Sequence, residues 1–402
     1  MTGRRVTLVL CTRDGDLLGA LPPYDVDSPW WPEVAPVVEG ASARYGIDVT
    51  ILRRIEDGWP RTVPGGRVAY LAEVTDLPTR TAQLQHWPGD PLGPAPLRQT
   101  WAHPAGPEQV LRWAEQQLHR AGTAPTGPST QVRTWNLSSL WRIPTPDGAA
   151  WLKVVPPFFA HEGRVLERLD APGVPTLLAA EGARVLLAEI PGEDKYDAPL
   201  PALLTMVRTL LAIQVQWVDR LDELLAIGVP DWRPEPLAAL AADTVARTAP
   251  ELDRAVVAHL DHLLAGLPGR YAAVDACGIP DTLVHGDFHP GNVRGSGDRL
   301  VLLDWGDTGV GNPLLDDAAF TERLSDDDTR VVRTEWSAAW RRHVPGCEPD
   351  RARELLAPVM ALRLAVIYRG FLDRIEPDER IYHAADPVTW LCRAAGLVAS
   401  RR

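Results

Sequence analysis

The stretch VHGDFHPGNV at residues 284–293, followed by LLDWGD at residues 302–307, decides the fold that this sequence predicts. Within it, Asp287 and Asn292 lie five residues apart in a short loop, and Asp304 follows an apolar run. Phosphoryl transfer from a nucleotide needs this set of groups. One carboxylate orients the attacking hydroxyl, while an amide oxygen and another carboxylate hold Mg²⁺ against the phosphates. The spacing therefore predicts a site for phosphoryl transfer.

Composition excludes several other classes of protein. The formal net charge is -12 and the pI is about 5.3, whereas a nucleic-acid binder needs a basic face. The four cysteines are scattered without a CxxC pair, which favours reduced thiols in the cytoplasm. The short apolar run at residues 6–11 predicts a strand rather than a signal peptide, and without about 18 consecutive apolar residues no membrane span is expected.

Lysine usage singles out one position. The chain has 41 lysines and arginines, of which only Lys153 and Lys195 are lysines, so 39 are arginines. A compact ammonium fits between two phosphates where a planar guanidinium fits poorly. A lysine kept at residue 153, on a predicted strand upstream of the loop, therefore indicates a phosphate contact.

The order of predicted elements divides the chain into three domains. Residues 1–125 predict an accessory α+β domain that ends in a proline- and glycine-rich linker over residues 76–107. Its order of hairpin, helix and strands is faintly similar to that of nudix hydrolases. Arg44, Ala43 and Gly40 stand where metal-binding carboxylates would be needed, so no hydrolysis is predicted there. Residues 126–197 read as a small β-rich lobe and residues 198–402 as a helical lobe, which gives an α+β fold class.

The loop HGDFHPGN at residues 285–292 closely resembles the catalytic loop of the aminoglycoside phosphotransferase family, small-molecule kinases that share the protein-kinase fold. The resemblance covers roughly residues 131–370. It implies a bilobal protein-kinase-like fold behind the accessory domain. It also implies Asp287 as the catalytic base, with Asn292 and Asp304 as Mg²⁺ ligands.

The family's supporting residues have counterparts as well. GNPLLD at residues 311–316 resembles the family segment whose last aspartate braces the catalytic loop, which implies that role for Asp316. Asp317 is expected to be a solvated neighbour. His285 is expected to be a structural histidine that forms hydrogen bonds near the loop, and His289 does likewise or faces the substrate.

The residues upstream of the loop resemble the part of the family's fold that binds the nucleotide. WLKVV at residues 151–155 looks like the third strand with its phosphate-binding Lys153, and Glu162 sits where its ion-pair partner would be. Glu167 is a rival partner; Glu162 is preferred because it leaves the apolar residues of its helix to pack inward.

Two further segments are assigned to the nucleotide-binding part by their position in the sequence. LLAEIPG at residues 186–192 resembles the hinge that cradles adenine, which places Glu189 and Ile190 there. The loop over residues 136–139 would cover the phosphates, with Ser138 and Ser139 as small hydroxyl donors.

The predicted function is an ATP-dependent O-phosphotransferase that uses Mg²⁺ and a small-molecule acceptor, with no nucleic-acid or membrane partner. The acceptor is aminoglycoside-like or a related sugar, amino alcohol or amino acid. On the predicted helix over residues 203–225, Asp219, Asp222 and Glu223 could attract a cationic acceptor, and a solvated helix face accounts for them equally well. Two other classes stay open: a nucleotide-binding regulator without turnover, and a zinc hydrolase that would use His285 and His289.

Overall fold

The computed structural model describes residues 3–55, 65–75 and 84–399, which form two compact units. The first unit comprises residues 1–160, 177–189 and 374–382, and the second comprises residues 161–176, 190–373 and 383–402. The α+β class is confirmed, since the first unit is rich in strands and the second in helices. The division into three domains stays a prediction.

A mixed five-stranded sheet forms the N-terminal part of the first unit. Its strands are β1 (Arg4–Thr12), β2 (Leu17–Ala20), β3 (Tyr24–Val26), β4 (Val49–Ile55) and β5 (Gly66–Val74). They lie in the order β2-β1-β5-β4 with β3 also paired to β1, and only β1 and β5 run parallel. The helix α1 (Ala35–Tyr45) ends at Gly46, whose φ of 65° is a left-handed conformation that glycine adopts without strain. Alternate apolar residues of β1 and β5 pack with α1 in one core.

A second, antiparallel sheet follows in the same unit. It contains β6 (Thr130–Thr134), β7 (Ser139–Thr145), β8 (Gly148–Val154), β9 (Leu177–Glu181) and β10 (Arg184–Ala188) in the order β6-β7-β8-β10-β9. The amphipathic helix α2 (Gly106–Arg120) buries Val110, Trp113 and Leu118 in a core shared with this sheet. Of the predicted linker, residues 84–105 are described, and they pack on the unit because Trp87, Leu92 and Trp101 anchor them; residues 76–83 lie outside the described residues.

The second unit is mostly helical. Its helices are α3 (Glu162–Arg168), α4 (Leu200–Val215), α5 (Leu221–Ala226), α6 (Pro234–Thr248), α7 (Arg254–Asp275), α8 (Asp317–Thr321), α9 (Asp326–His343), α10 (Pro349–Leu372) and α11 (Asp386–Ala399). Two small sheets join β11 (Glu193–Asp194) to β13 (Val293–Ser296) and β14 (Arg299–Leu302), and β12 (Thr282–Val284) to β15 (Gly309–Gly311).

The predicted single helix over residues 203–225 is wrong. The chain forms α4 and α5 with a turn between them, in which Trp217 is buried and the guanidinium of Arg220 lies 4.0 Å from its ring centroid. No proline or glycine occurs within residues 203–225 to mark this break. Glu223 is paired with Arg220 by two hydrogen bonds of 2.8 Å, so its carboxylate is already neutralised.

The helix α10 has the length and apolar composition of a membrane span, with a mean hydropathy of 1.6 over 18 residues. Core helices of soluble proteins pass the same test, and 56% of that window is buried within the protein. The helix also carries the buried Arg353 and Arg363, both bonded to other parts of the second unit. These contacts are those of a core helix.

The expectation that Asp317 is a solvated residue is wrong. Its side chain is 1% exposed and accepts hydrogen bonds from the guanidinium groups of Arg333 on α9 and Arg353 on α10. No local pattern predicts this burial, because the two arginines lie 16 and 36 residues further along the chain. The two guanidinium groups on neighbouring helices offset the free-energy cost of burying this carboxylate.

Replacement of Asp317 by alanine should destabilise the protein by about 3 kcal/mol, because it leaves the buried Arg353 with only the exposed carboxylate of Asp350 as a partner. Denaturant unfolding would measure this loss. The matched control is Asp327→Ala, which removes an exposed partner of Arg330 and should cost less than about 0.5 kcal/mol. Equal losses for the two variants would contradict the account.

The segment over residues 374–382, here called the strap, joins the first unit through buried charges. The Glu376 carboxylate lies 3.5 Å from Arg53 Nε and 3.2 Å from Arg98 Nε. Glu379 accepts a hydrogen bond of 3.0 Å from the backbone N–H of Arg54. Burial, with the nearby charge of Glu376, raises the pKa of Glu379 to about 8, although Arg54 and Arg53 oppose the shift.

This pKa predicts a loss of stability as pH rises. The pKa of Glu379 is higher in the folded protein than the ordinary value of 4.5, so between these pH values the unfolded chain binds fewer protons. Stability should therefore fall from about pH 5 to pH 8. Glu379→Gln, a neutral isostere, should remove this part of the fall, so that the variant gains in Tm over the wild type as pH rises. Parallel Tm curves for the two proteins across this range would show that Glu379 does not titrate in this way.

Candidate active site

The loop over residues 285–292 connects β12 to β13, and Asp287 is its exposed carboxylate. The Asp287 side chain is 43% exposed, and its Oδ2 accepts a hydrogen bond of 2.8 Å from Asn292 Nδ2 and lies 3.5 Å from His289 Nε2. Partial burial raises the pKa of Asp287, but the hydrogen bond and charge of His289, with the bond from Asn292, outweigh it and hold the pKa below its ordinary value. Asp287 is therefore an ionised acceptor at neutral pH.

Asn292 is oriented by the same contacts. Its Nδ2 donates to both the carbonyl oxygen and the carboxylate of Asp287, at 2.9 and 2.8 Å. Both amide hydrogens are thus directed at one residue, which leaves Oδ1 as an oxygen acceptor facing elsewhere.

The β13–β14 hairpin brings Asp304 to the same end as Asn292. Val293 pairs with Leu302, and the N–H of Leu303 donates to the Asn292 carbonyl at 2.7 Å. Asp304 itself has a φ of 64°, a conformation that is rare for a residue with a Cβ and that concentrates at functional sites.

His285 ties the loop to the segment before Asp304. The ring is fully buried, its Nε2 donates to the carbonyl of Leu303 at 3.0 Å, and it packs 4.5 Å from the ring centroid of Trp305. Burial lowers the pKa of His285 to about 4, so the ring is neutral at neutral pH. A neutral, buried ring of this kind holds structure rather than transferring protons.

Two buried charged side chains bond the backbone at the start of the loop. Asp316 accepts hydrogen bonds from the backbone N–H groups of His285 and Gly286, at 3.0 and 2.8 Å. Arg363, on α10, donates two bonds of 3.3 Å to the Gly286 carbonyl. Gly286 has a φ of 93°, and a Cβ there would lie 2.1 Å from the Asp307 carbonyl oxygen, so only glycine fits.

Burial raises the pKa of Asp316 to about 6, against the backbone hydrogen bonds and Arg363, which lower it. Gln214 on α4 donates a further bond of 3.1 Å to the same carboxylate. Sequence reasoning missed Arg363 and Gln214. No local pattern marks either residue, because each lies within an ordinary helix.

Glu162 contacts the Asp304 segment directly. It is the first residue of α3, is 2% exposed, and its Oε1 accepts a bond of 3.2 Å from the N–H of Trp305. The neighbouring His161 forms a hydrogen bond with the backbone of Gly306. The rival Glu167 is exposed. The second unit therefore gathers Glu162, His285, Asp287, Asn292, Asp304 and Asp316 around one loop and one hairpin.

The other predicted residues, apart from Ile190, belong to the first unit. Lys153 is on β8 of the first unit, paired in register with Leu140 and Val185. Ser138 and Ser139 accept hydrogen bonds of 3.0 Å from the indole N–H groups of Trp135 and Trp141.

The two hinge residues fall on either side of the boundary between the units. Glu189 Oε2 lies 3.4 Å from the guanidinium of Arg142 in the first unit. In the second unit, the carbonyl of Ile190 accepts a bond of 2.9 Å from Arg294 Nε.

The donor set fits Mg²⁺ better than zinc. Within residues 3–55, 65–75 and 84–399, no three His, Cys, Asp or Glu side chains are grouped as a metal site. Zinc sites use three or four such ligands, whereas Mg²⁺ is held by one or two protein oxygens together with substrate phosphates and water. The Asn292 amide oxygen and the Asp304 carboxylate supply oxygens of that kind.

Comparison with known proteins agrees with this geometry. Residues 130–355 match the sequence model of the phosphotransferase enzyme family (APH). No curated protein matched the chain.

Similar solved structures include a candidate aminoglycoside phosphotransferase from Ralstonia eutropha JMP134, with 13% identity, a TM-score of 0.50, and coverage of 73% of this chain and 98% of that one. Another is the macrolide 2'-phosphotransferase MphH from Brachybacterium faecium, with 20% identity, a TM-score of 0.49, and coverage of 68% and 96%. At such identities the Ralstonia structure shows a shared fold. Because the family match spans more than half of the 402 residues, the protein belongs to the phosphotransferase enzyme family, as the loop over residues 285–292 indicated, and it is a small-molecule kinase.

Proposed function

We propose that the protein is an ATP-dependent O-phosphotransferase that transfers the γ-phosphate to a hydroxyl of a small molecule. The observation that carries this proposal is the hydrogen bond between Asp287 and Asn292, in a loop fixed at its start by Asp316 and Arg363. An ionised carboxylate beside an oriented amide can align a hydroxyl and present an oxygen to a cation.

Asp287 acts on the acceptor. Its carboxylate accepts a hydrogen bond from the acceptor hydroxyl, aligns the oxygen for in-line attack and takes the proton as the new P–O bond forms and the bond to the leaving ADP oxygen breaks. Proton acceptance contributes about 10²- to 10⁴-fold. Positioning and electrostatics supply most of the remaining acceleration, because the transition state is loose.

In this proposal the remaining predicted residues bind the nucleotide and its metal ion. Asn292 and Asp304 would hold Mg²⁺, which would offset the negative charge of the phosphates. Lys153 neutralises phosphate charge with Glu162 as its partner, and Ser138 and Ser139 lie at the loop that covers the phosphates.

The hinge residues Glu189 and Ile190 meet adenine through backbone groups. The Ile190 carbonyl accepts one hydrogen bond from Arg294 Nε, and its second lone pair remains for a donor on the base.

The acceptor is an aminoglycoside-like compound or a related metabolite; sugars, amino alcohols and amino acids are the alternatives. One observation favours an acceptor with a cationic group. Asp304 and Glu322 act with Asp287 to raise the pKa of His289 against the effect of burial, so the surroundings of the loop are negative. A negative field attracts cations. Four free cysteines agree with action in the cytoplasm.

A screen tests the proposal. Purified protein is incubated with Mg–ATP and a panel of aminoglycosides, sugars, amino alcohols and amino acids, and products are read by mass. The proposal expects a product heavier by one phosphoryl group. Tight binding of Mg–ATP in calorimetry without turnover of any acceptor would favour a nucleotide-binding regulator instead.

Asp287→Asn should lower kcat by about 10²- to 10⁴-fold, because the amide cannot accept the proton. The affinity for Mg–ATP, measured by calorimetry, should stay nearly unchanged. The matched control is Asp298→Asn, an exposed residue in the β13–β14 turn, which should keep wild-type kcat. Wild-type turnover by the Asp287 variant would show that another group is the base.

A further inference from the structure

The strand β6 of the second sheet also forms hydrogen bonds with residues of the N-terminal domain. β6 is an edge strand of that sheet, and residues 32–34 of the N-terminal domain cover its free edge. The Val34 N–H donates to the Val132 carbonyl at 3.1 Å, and the Thr134 N–H donates to the Pro32 carbonyl at 2.9 Å. The position of β6 is therefore set by hydrogen bonds from both sides.

A buried side chain of β6 also bonds the backbone of β4. The Gln131 amide is 5% exposed; its Oε1 accepts from the Ile51 N–H at 2.9 Å and its Nε2 donates to the Ile51 carbonyl at 2.7 Å. It thus imitates a strand partner at the point where the pairing of β4 with β5 shifts register, between Ile51 and Arg53.

The turn that follows β6 is held by the strap. Tyr382 packs edge-on against Trp31, of the N-terminal domain, and against Trp135, with ring centroids 6.0 and 5.6 Å apart. The next residue, Asn136, is 3% exposed and its Nδ2 donates to the carbonyl of Glu379 at 3.4 Å.

These contacts meet at a small polar cavity. It is lined by Arg53, Trp101, Trp135, Asn136, Glu376 and Glu379 among others. The space open to the centre of a water molecule is about 10 Å³, enough for about one water. Among the described residues, Asn136 Oδ1 and Glu379 Oε2 are buried without a hydrogen-bond partner, and both residues line this cavity.

The contacts at β6 and the following turn are polar and directional rather than merely apolar. The N-terminal sheet has its own apolar core with α1, and the β6–β10 sheet has another with α2. At β6 they are joined by hydrogen bonds to Val132, Thr134 and Gln131. At the turn the strap links them, since Glu379 bonds both Asn136 and the backbone of Arg54 on β4. Apolar contact alone would bury surface, whereas hydrogen bonds of fixed geometry also set a position.

We propose that the N-terminal domain is a positioning module for the turn over residues 135–139, and that Asn136 is the positioning residue through which it sets nucleotide affinity. This inference rests on the proposed function, which assigns that turn to the nucleotide phosphates. The turn is closed internally by the Trp135 N–H to the Ser138 carbonyl and by the Trp135 indole to Ser138 Oγ, each 3.0 Å long. A shift of Trp135 or Asn136 therefore moves Ser138 with it.

The test measures the Kd of Mg²⁺–ADP by calorimetry on the full chain. Asn136→Ala removes the bond to the strap, and the Kd should rise about tenfold, equivalent to about 1.4 kcal/mol. Gln131→Met removes the Ile51 bonds at nearly constant volume and should raise the Kd in the same direction, which keeps the test decisive if the alanine variant does not fold. The control is Asp25→Asn, an exposed β3 residue 3.4 Å from Arg5, with an unchanged Kd expected.

The outcomes separate the two hypotheses. A lower Tm with an unchanged Kd in both folded variants would show that the domain only stabilises the fold, and would overturn this inference alone. No binding of Mg²⁺–ADP by the wild type would overturn the proposed function, and this inference with it. A raised Kd in both variants, with the control unchanged, supports it.

Discussion

The site depends on two buried charged side chains, Asp316 and Arg363, which bond successive backbone groups at the start of the loop over residues 285–292. The Asp316 carboxylate receives the N–H groups of His285 and Gly286, and Arg363 donates to the carbonyl of Gly286. Burying these charges is costly, and the pKa of Asp316, raised to about 6, shows that its hydrogen bonds do not fully offset burial. In return, the backbone that carries Asp287 has one available position.

Further hydrogen bonds connect the start of the loop to the segment that carries Asp304. His285 and Asn292 each bond the backbone of Leu303, and Glu162 bonds the backbone of Trp305, so the residues on both sides of Asp304 are fixed. The strained φ of Asp304 is stable because its neighbours are held in this way. Catalysis that relies on positioning and electrostatics needs this kind of rigidity, since a displacement of about 1 Å can cost a hundredfold in rate.

The sequence predicted the parts of the site that are local. The α+β class and the family follow from two short stretches, because their spacing is a property of one loop and one hairpin. It could not predict Arg363, which lies 77 residues from Gly286, or the burial of Asp317, which depends on arginines from two helices. The break between α4 and α5 was also missed, because no proline or glycine marks it in the sequence. The first two failures concern tertiary contacts that override a local pattern.

The hydrogen bonds between β6 and the N-terminal residues could not be predicted, for a related reason. A hydrogen bond between Gln131 and Ile51 spans 80 residues, and glutamine has no preference that would reveal it. The order of elements therefore predicted a separate N-terminal domain, but it did not reveal that residues 32–34 and 51 bond to the following sheet.

A crystal structure with Mg²⁺ and a non-hydrolysable ATP analogue tests the central claim most directly. The account predicts a metal ion bound by Asn292 Oδ1 and the Asp304 carboxylate, with Asp287 outside the metal's ligand shell and directed at the γ-phosphate. A nucleotide bound away from the loop over residues 285–292, or a metal ion bound by neither Asn292 nor Asp304, would contradict it.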